Sequence, residues 1–139
     1  MRFGLVGCGV IGTLHARLIA SLAGSAELAV AVDSDLQRAK VVAERHGADA
    51  LGSLDELLAR EDIDAVSVCL PSGSHAEAAV RALDAGMHVL IEKPIDITLA
   101  AADRVIEAEK RSGKTVTVIS QRRFQPAPRR VHDAVVAGS

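Results

Sequence analysis

The run Gly7-Cys8-Gly9-Val10-Ile11-Gly12 constrains this chain more than any other feature. It lies between a short apolar stretch, Arg2 to Val6, and a stretch from Val10 to Ala23 that reads as a helix, with Leu14, Leu18 and Leu22 repeating on one face. G-x-G-x-x-G at a strand-to-helix junction has a physical logic. Gly7 permits the tight turn, Gly9 lets a pyrophosphate approach the backbone with no Cβ in the way, and Gly12 lets the helix lie close to the sheet. The helix N-terminus then offers unpaired N–H groups and the positive end of its dipole to phosphates. Alone, such a run also fits a glycine-rich turn without a ligand, so the rest of the chain has to decide.

The rest alternates strand and helix. Expected strands are Arg2 to Val6, Glu27 to Val32, Ala48 to Leu51, Asp64 to Leu70, Met87 to Ile91 and Thr115 to Ile119. Between them fall helical stretches: Leu36 to His46 ended by Gly47, a piece opened by Ser53, Ser74 to Ala85 ended by Gly86, and Thr98 to Arg111 ended by Gly113. A last helical piece is expected from Val131 to Ala137. Repeated strand-helix-strand at this spacing implies an α/β chain with a doubly wound, mostly parallel six-stranded sheet, the Rossmann fold. The 139 residues suit one domain, with a core at 1–120 and residues 121–139 as a linker and the start of a helix.

Composition agrees. Hydrophobic residues make up 49% of the chain, yet Phe3 and Phe124 are its only aromatics, so the core must be aliphatic, as in a sheet buried on both faces. A formal net charge of -2 gives no field for nucleic acid or an anionic membrane. No apolar run spans a bilayer, and the N-terminus lacks the pattern of a leader, so a cytoplasmic location is expected. Cys8 and Cys69 form neither a disulfide framework nor a metal site; they are expected to be reduced, and no metal is expected.

Asp33 ends the second strand, about 20 residues past the third glycine, where a carboxylate can accept from both adenine-ribose hydroxyls. It would repel a 2′-phosphate, and Ser34 and Asp35 bring no cation to receive one, so NAD is favoured over NADP. Arg38, one turn on, is either a solvated helix residue or a group that swings toward such a phosphate. Leu70-Pro71-Ser72-Gly73-Ser74-His75 follows the fourth strand, at the carboxyl edge where open α/β sheets bind ligands. His75 by itself fits a surface histidine equally well. Glu92-Lys93-Pro94 follows the fifth strand at the same edge; Lys93 there is either a charged turn residue or an ammonium near the nicotinamide that shares in proton transfer.

In this order, Gly-x-Gly-x-x-Gly-x-x-His, the Pro-Ser-x-x-His turn and Glu-Lys-Pro resemble the Gfo/Idh/MocA oxidoreductases, and Gln121-Arg122-Arg123-Phe124-x-Pro126 extends the resemblance along the chain. The resemblance implies that Gly7, Gly9, Val10, Ile11 and Gly12 cradle the pyrophosphate and that Asp33 binds the ribose. It implies that Leu70, Pro71, Ser72 and His75 line the nicotinamide-ribose side. Glu92 and Lys93 would lie beside the nicotinamide, with Lys93 catalytic and the Lys93–Pro94 bond cis. Family members oxidise or reduce a hydroxyl of a sugar, cyclitol or sugar nucleotide. Their second, α+β domain supplies the substrate pocket and an acid/base histidine; His132 does not replace it. The chain is therefore expected to be the NAD-binding part of a longer dehydrogenase, with little turnover of its own; the full-length enzyme could form homo-oligomers. Two other classes compete. A stand-alone NAD-binding or redox-sensing module would share every feature above. An S-adenosylmethionine methyltransferase also has a glycine loop and a second-strand acid, but the third glycine and Glu-Lys-Pro disfavour it.

Overall fold

The computed structural model describes residues 1–138; Ser139, the last residue of the expected domain, lies outside the described residues. Six strands, β1 (Arg2–Val6), β2 (Glu27–Val32), β3 (Asp49–Leu51), β4 (Ala65–Val68), β5 (His88–Ile91) and β6 (Val116–Val118), form one sheet in the order β3-β2-β1-β4-β5-β6. Every neighbouring pair is parallel. The chain winds outward from β1 in one direction and from β4 in the other, so a crevice opens between their carboxyl ends.

Helices cover both faces. α1 (Val10–Ser21) and α2 (Leu36–His46) pack on one, around Leu5, Leu28, Ala31 and Ile19. On the other, α3 (Leu54–Leu58), α4 (His75–Asp84) and α5 (Leu99–Ser112) cover the valine- and isoleucine-rich side of β4 and β5. Burial of both faces explains why β4 is buried at all four positions. The helix ends follow local chemistry. Ser53 accepts from the Glu56 N–H, Thr98 accepts from the Ala101 N–H, and Gly47 and Gly113 close α2 and α5 in the left-handed region that glycine adopts without a Cβ penalty.

Two expected bounds need correcting, and the side that α1 turns to the core comes only from the structure. The Leu14, Leu18 and Leu22 stripe of α1 does not face the core: these residues are 38%, 52% and 56% exposed, while Gly12, His15, Ala16 and Ile19 turn inward. Small residues on the inner face let the helix approach the sheet. β4 stops at Val68, short of Leu70, because its partner β1 ends at Val6 and turns away through Gly7, leaving Cys69 with one last bond to Val6 O. Finally, α6 runs Pro126–Val136 and so begins five residues before the expected Val131. Prolines 126 and 128 fall in its first turn, where the backbone N–H has no helical partner to lose. All of α6 is exposed.

Gly4 and Leu57 fit together across the sheet face. A Cβ on Gly4 would lie 2.4 Å from Leu57 Cδ1, and Leu57 is fully buried. Gly4→Ala should therefore destabilise by collision and Leu57→Ala by a cavity worth roughly 2–5 kcal/mol. The double variant should lose less than the sum, because each change makes room for the other. Urea unfolding of the four proteins measures the coupling; strict additivity would show that the two side chains do not share this space.

Candidate dinucleotide site

The glycine loop is built by close approach. Gly7 has φ +95° and donates to Val32 O at 2.9 Å, and a Cβ there would come within 2.6 Å of Cys69 O. At Gly12 a Cβ would lie 1.8 Å from Gly7 O, so no side chain fits and α1 seats directly on the turn. Gly9 is the opposite case: a Cβ there would meet nothing within 4 Å. Its open side leaves bare backbone facing the crevice. No side chain caps α1 and no acidic residue occupies its first turn, so its N-terminal N–H groups and positive dipole end stay available to an anion.

Asp33 follows β2 at the rim of this loop. Its Oδ2 accepts from the Cys8 N–H at 2.8 Å and its Oδ1 from the Asp35 N–H at 2.9 Å. Both oxygens are thus oriented, and each keeps a further lone pair. A cavity of about 710 Å3 brings Gly7, Gly9, Val10 and Ile11 together with Asp33, Leu70 and Pro71. Arg38, the one cation of that lining, is paired with Asp35 at 3.3 Å. A larger hollow of about 840 Å3 lies at the opposite edge, beside Glu27, Asp49 and the carboxyl ends of α1 and α2. Its cations are engaged, Arg2 by Glu27 and Asp62 and the Met1 ammonium by Ser25 O, and the carboxyl ends of two helix dipoles point at it, so it suits phosphates less.

The remaining expected residues, Gly12, Ser72, His75, Glu92 and Lys93, are not part of the lining of this cavity. Gly12 is packed inward, and Ser72 opens the 3-10 turn Ser72–Ser74 after Pro71. His75 is not a surface histidine: it is 1% exposed, and its ring nitrogens each lie 2.7 Å from a carbonyl oxygen, Nδ1 from Pro94 O and Nε2 from Leu70 O. His75 therefore staples the exit of β4 to the exit of β5 from inside. Glu92 and Lys93 follow β5 at the carboxyl edge, and the Lys93–Pro94 peptide is cis. Glu92 Oε2 accepts from the Lys93 N–H at 3.0 Å.

Sequence reasoning gave no role to two kinds of residue found here. His15 and Ser67 are buried beneath Glu92, with His15 Nδ1 2.8 Å from Ser67 Oγ and His15 Nε2 3.3 Å from Glu92 Oε1. His15 stands three residues after Gly12, one turn along the inward face, and that spacing was the available signal. Asp96 accepts from the Ala76 N–H at 2.9 Å and from its neighbour Ile97, capping α4 from a separate loop. The cysteines are inert. Burial first, then Asp33, pushes the Cys8 thiol up to about 11; burial pushes Cys69 up to about 12 despite its contact with Ser67. Among the described residues no group of three side chains could hold a metal ion, and no helix is long and apolar enough to cross a membrane.

Comparison with known proteins adds a family. A model described as an oxidoreductase family with an NAD-binding Rossmann fold matches residues 1–120. A 4-carboxy-2-hydroxymuconate-6-semialdehyde dehydrogenase of Sphingobium sp. is 35% identical over 139 residues, covering 99% of this chain and 44% of the relative. Among solved structures, the WlbA dehydrogenase of Bordetella pertussis in complex with NADH and UDP-GlcNAcA superposes with a TM-score of 0.94 at 33% identity, over 99% of this chain and 42% of its own. The 3-ketoreductase KijD10 of Actinomadura kijaniata, in complex with NADP and TDP-benzene, superposes with a TM-score of 0.88 at 33% identity, over 99% and 42%. This chain thus spans about two-fifths of the length of the relatives it matches.

The Asp96 cap has a pH signature. The backbone N–H of Ala76, then that of Ile97, hold its carboxyl below the usual carboxylate range. A carboxylate whose pKa is depressed by folding stabilises the fold above its unfolded pKa and loses that contribution as the pH falls through the folded value. Asp96→Ala should therefore lower the thermal midpoint near neutral pH, and the gap to the wild type should close as the pH falls below about 4. A gap that stays constant down to about pH 3 would show that the carboxylate is not the stabilising form.

Proposed function

Since this chain belongs to the Gfo/Idh/MocA oxidoreductase family, we propose that it is the nicotinamide-dinucleotide-binding part of a dehydrogenase. Its cofactor is NAD in preference to NADP, and its substrate carries a hydroxyl or ketone on a sugar, cyclitol or sugar nucleotide. The observation that carries this reading is the Asp33 carboxylate, held by the Cys8 N–H at the rim of a glycine loop whose one open side is Gly9.

The residues present suit the dinucleotide. Gly7, Gly9, Val10, Ile11 and the N-terminus of α1 would take the pyrophosphate, with Gly12 seating the helix behind them. Asp33 would accept from the adenine-ribose hydroxyls. Its negative charge opposes a 2′-phosphate, and the pairing of Arg38 with Asp35 supports the same preference by engaging the cation of the cavity lining. Leu70, Pro71 and Ser72 would flank the nicotinamide ribose, with His75 holding their loop from beneath. Bound there, the nicotinamide would accept a hydride from the substrate carbon or return one to it.

Lys93 would face the reacting oxygen. Its ammonium donates hydrogen bonds to a hydroxyl or carbonyl and can take part in moving the hydroxyl proton. The UDP-GlcNAcA bound by the WlbA dehydrogenase supports a sugar-nucleotide substrate. A cytoplasmic enzyme is the expected setting for such chemistry.

Two measurements test the reading. Calorimetric titration should show tighter binding of NAD than of NADP. Asp33→Ala should weaken NAD binding by roughly 1.5–3 kcal/mol, the range for a charge-assisted hydrogen bond, and narrow the gap to NADP. Tighter NADP binding by the wild type would overturn the assignment of Asp33. In the active enzyme, Lys93→Ala should lower kcat by roughly 10²–10⁴ while leaving the Kd for NAD within a few-fold. A variant that lost NAD affinity but kept its turnover at saturating cofactor would make Lys93 a binding residue only.

A further inference from the structure

Beneath the exit of β5 lies a line of polar side chains that binding of a dinucleotide does not require. Ser67 is the one polar residue of β4 and is fully buried. Its Oγ lies 2.8 Å from His15 Nδ1; His15 Nε2 lies 3.3 Å from Glu92 Oε1; Glu92 Oε2 takes the Lys93 N–H at 3.0 Å. The His15 and Glu92 side chains are 8% and 12% exposed. The proton directions follow from the end of the line. An ionised Glu92 can only accept, so Nε2 donates to it; Nδ1 of a neutral ring is then an acceptor, and the Ser67 hydroxyl donates to it. The Cys69 thiol, 3.8 Å from Ser67 Oγ, can close the line as a weak donor.

We propose that His15 and Ser67 are positioning residues for Lys93. Ser67 fixes the plane of the His15 ring, the ring fixes the Glu92 carboxylate, and the second oxygen of that carboxylate fixes the Lys93 backbone, and with it the point from which the ammonium reaches out. The inference rests on the proposed role of Lys93. Two observations carry it beyond ordinary core satisfaction. Burying a carboxylate with a histidine and a serine is costly where aliphatic residues would pack as well, and apolar residues line β4 on either side of Ser67. The line also does not close on itself: it ends on the main chain of the one residue to which chemistry is assigned. It passes, moreover, through α1, one turn past the Gly12 contact, so the helix that would hold the pyrophosphate also sets the lysine loop.

The experiment separates the two nitrogens of His15. Asparagine places a polar group where Nδ1 was and cannot reach Glu92; glutamine places its amide where Nε2 was and can. Amide hydrogen exchange at Lys93, read by NMR on this chain without cofactor, should quicken by roughly tenfold or more in His15→Asn, the loss of one hydrogen bond to a charged group. His15→Gln should stay near the wild type. Ser67→Ala, which frees the ring without opening a large cavity, should quicken exchange as well. A Lys93 rate unchanged in His15→Asn or in Ser67→Ala overturns the proposal, and so does equal quickening in the Asn and Gln variants, which would reduce the line to packing. A second arm compares the affinities of NAD and ADP-ribose, which lacks the nicotinamide. If His15→Asn weakens NAD several-fold more than ADP-ribose, both the positioning and the placement of Lys93 stand. If exchange responds as expected but the two ligands weaken alike, the positioning stands and the placement of Lys93 beside the nicotinamide falls.

Discussion

The site depends on how closely α1 can lie against the turn that precedes it. With only 1.8 Å between Gly7 O and the place where a Cβ of Gly12 would sit, glycine is the one residue that lets this helix dock. Docking fixes the rotation of the helix. Gly12, His15, Ala16 and Ile19 go inward at intervals of three and four residues, and the larger leucines go out. The same contact aims the uncapped N-terminus of α1 at the crevice between β1 and β4. A bare helix end held at that crevice offers an anion N–H donors from backbone alone.

Parallel pairing does the rest of the assembly. Because every strand runs the same way, each carboxyl end delivers its residues to one edge. β1 brings Gly7, β2 brings Asp33, β4 brings Leu70 and Pro71, and β5 brings Glu92 and Lys93. Residues more than eighty positions apart thereby share one rim. Loops at that rim are held by side chains reaching between them. Asp33 ties the β2 exit to the glycine loop, His75 ties the β4 exit to the β5 exit, and Asp96 ties the loop beyond Pro94 back to α4. Such ties order the rim before any ligand arrives, which lowers the entropic cost of binding.

Polar groups below the rim follow one rule: each buried donor or acceptor has a partner. No buried side-chain nitrogen or oxygen of the described residues lacks one. Ser67, His15 and Glu92 satisfy one another, and the two ring nitrogens of His75 each meet a backbone carbonyl oxygen. The thiols of Cys8 and of half-buried Cys69 stay protonated and add no charge to this layer.

Local signals were legible wherever a residue type has one dominant use. The caps at Ser53 and Thr98, the stops at Gly47 and Gly113 and the contact of Gly12 with Gly7 act within a few residues, and the glycines with an acid at the end of β2 keep a recognisable spacing although Gly7 and Asp33 meet distant partners, so the sequence by itself determined the strand-helix alternation, the parallel sheet and most of the rim. Sidedness was not legible. Leu14, Leu18 and Leu22 have the spacing of a core face, and only the contact between Gly12 and Gly7 turns them outward. His75 looks the same in sequence whether it meets solvent or two carbonyls. His15, Ser67 and Glu92 lie 52 and 77 residues apart along the chain, and nothing local couples them. Which way a helix rotates, and which polar groups meet beneath a sheet, are decided by contacts between distant segments, and those exist only once the chain has closed around its core.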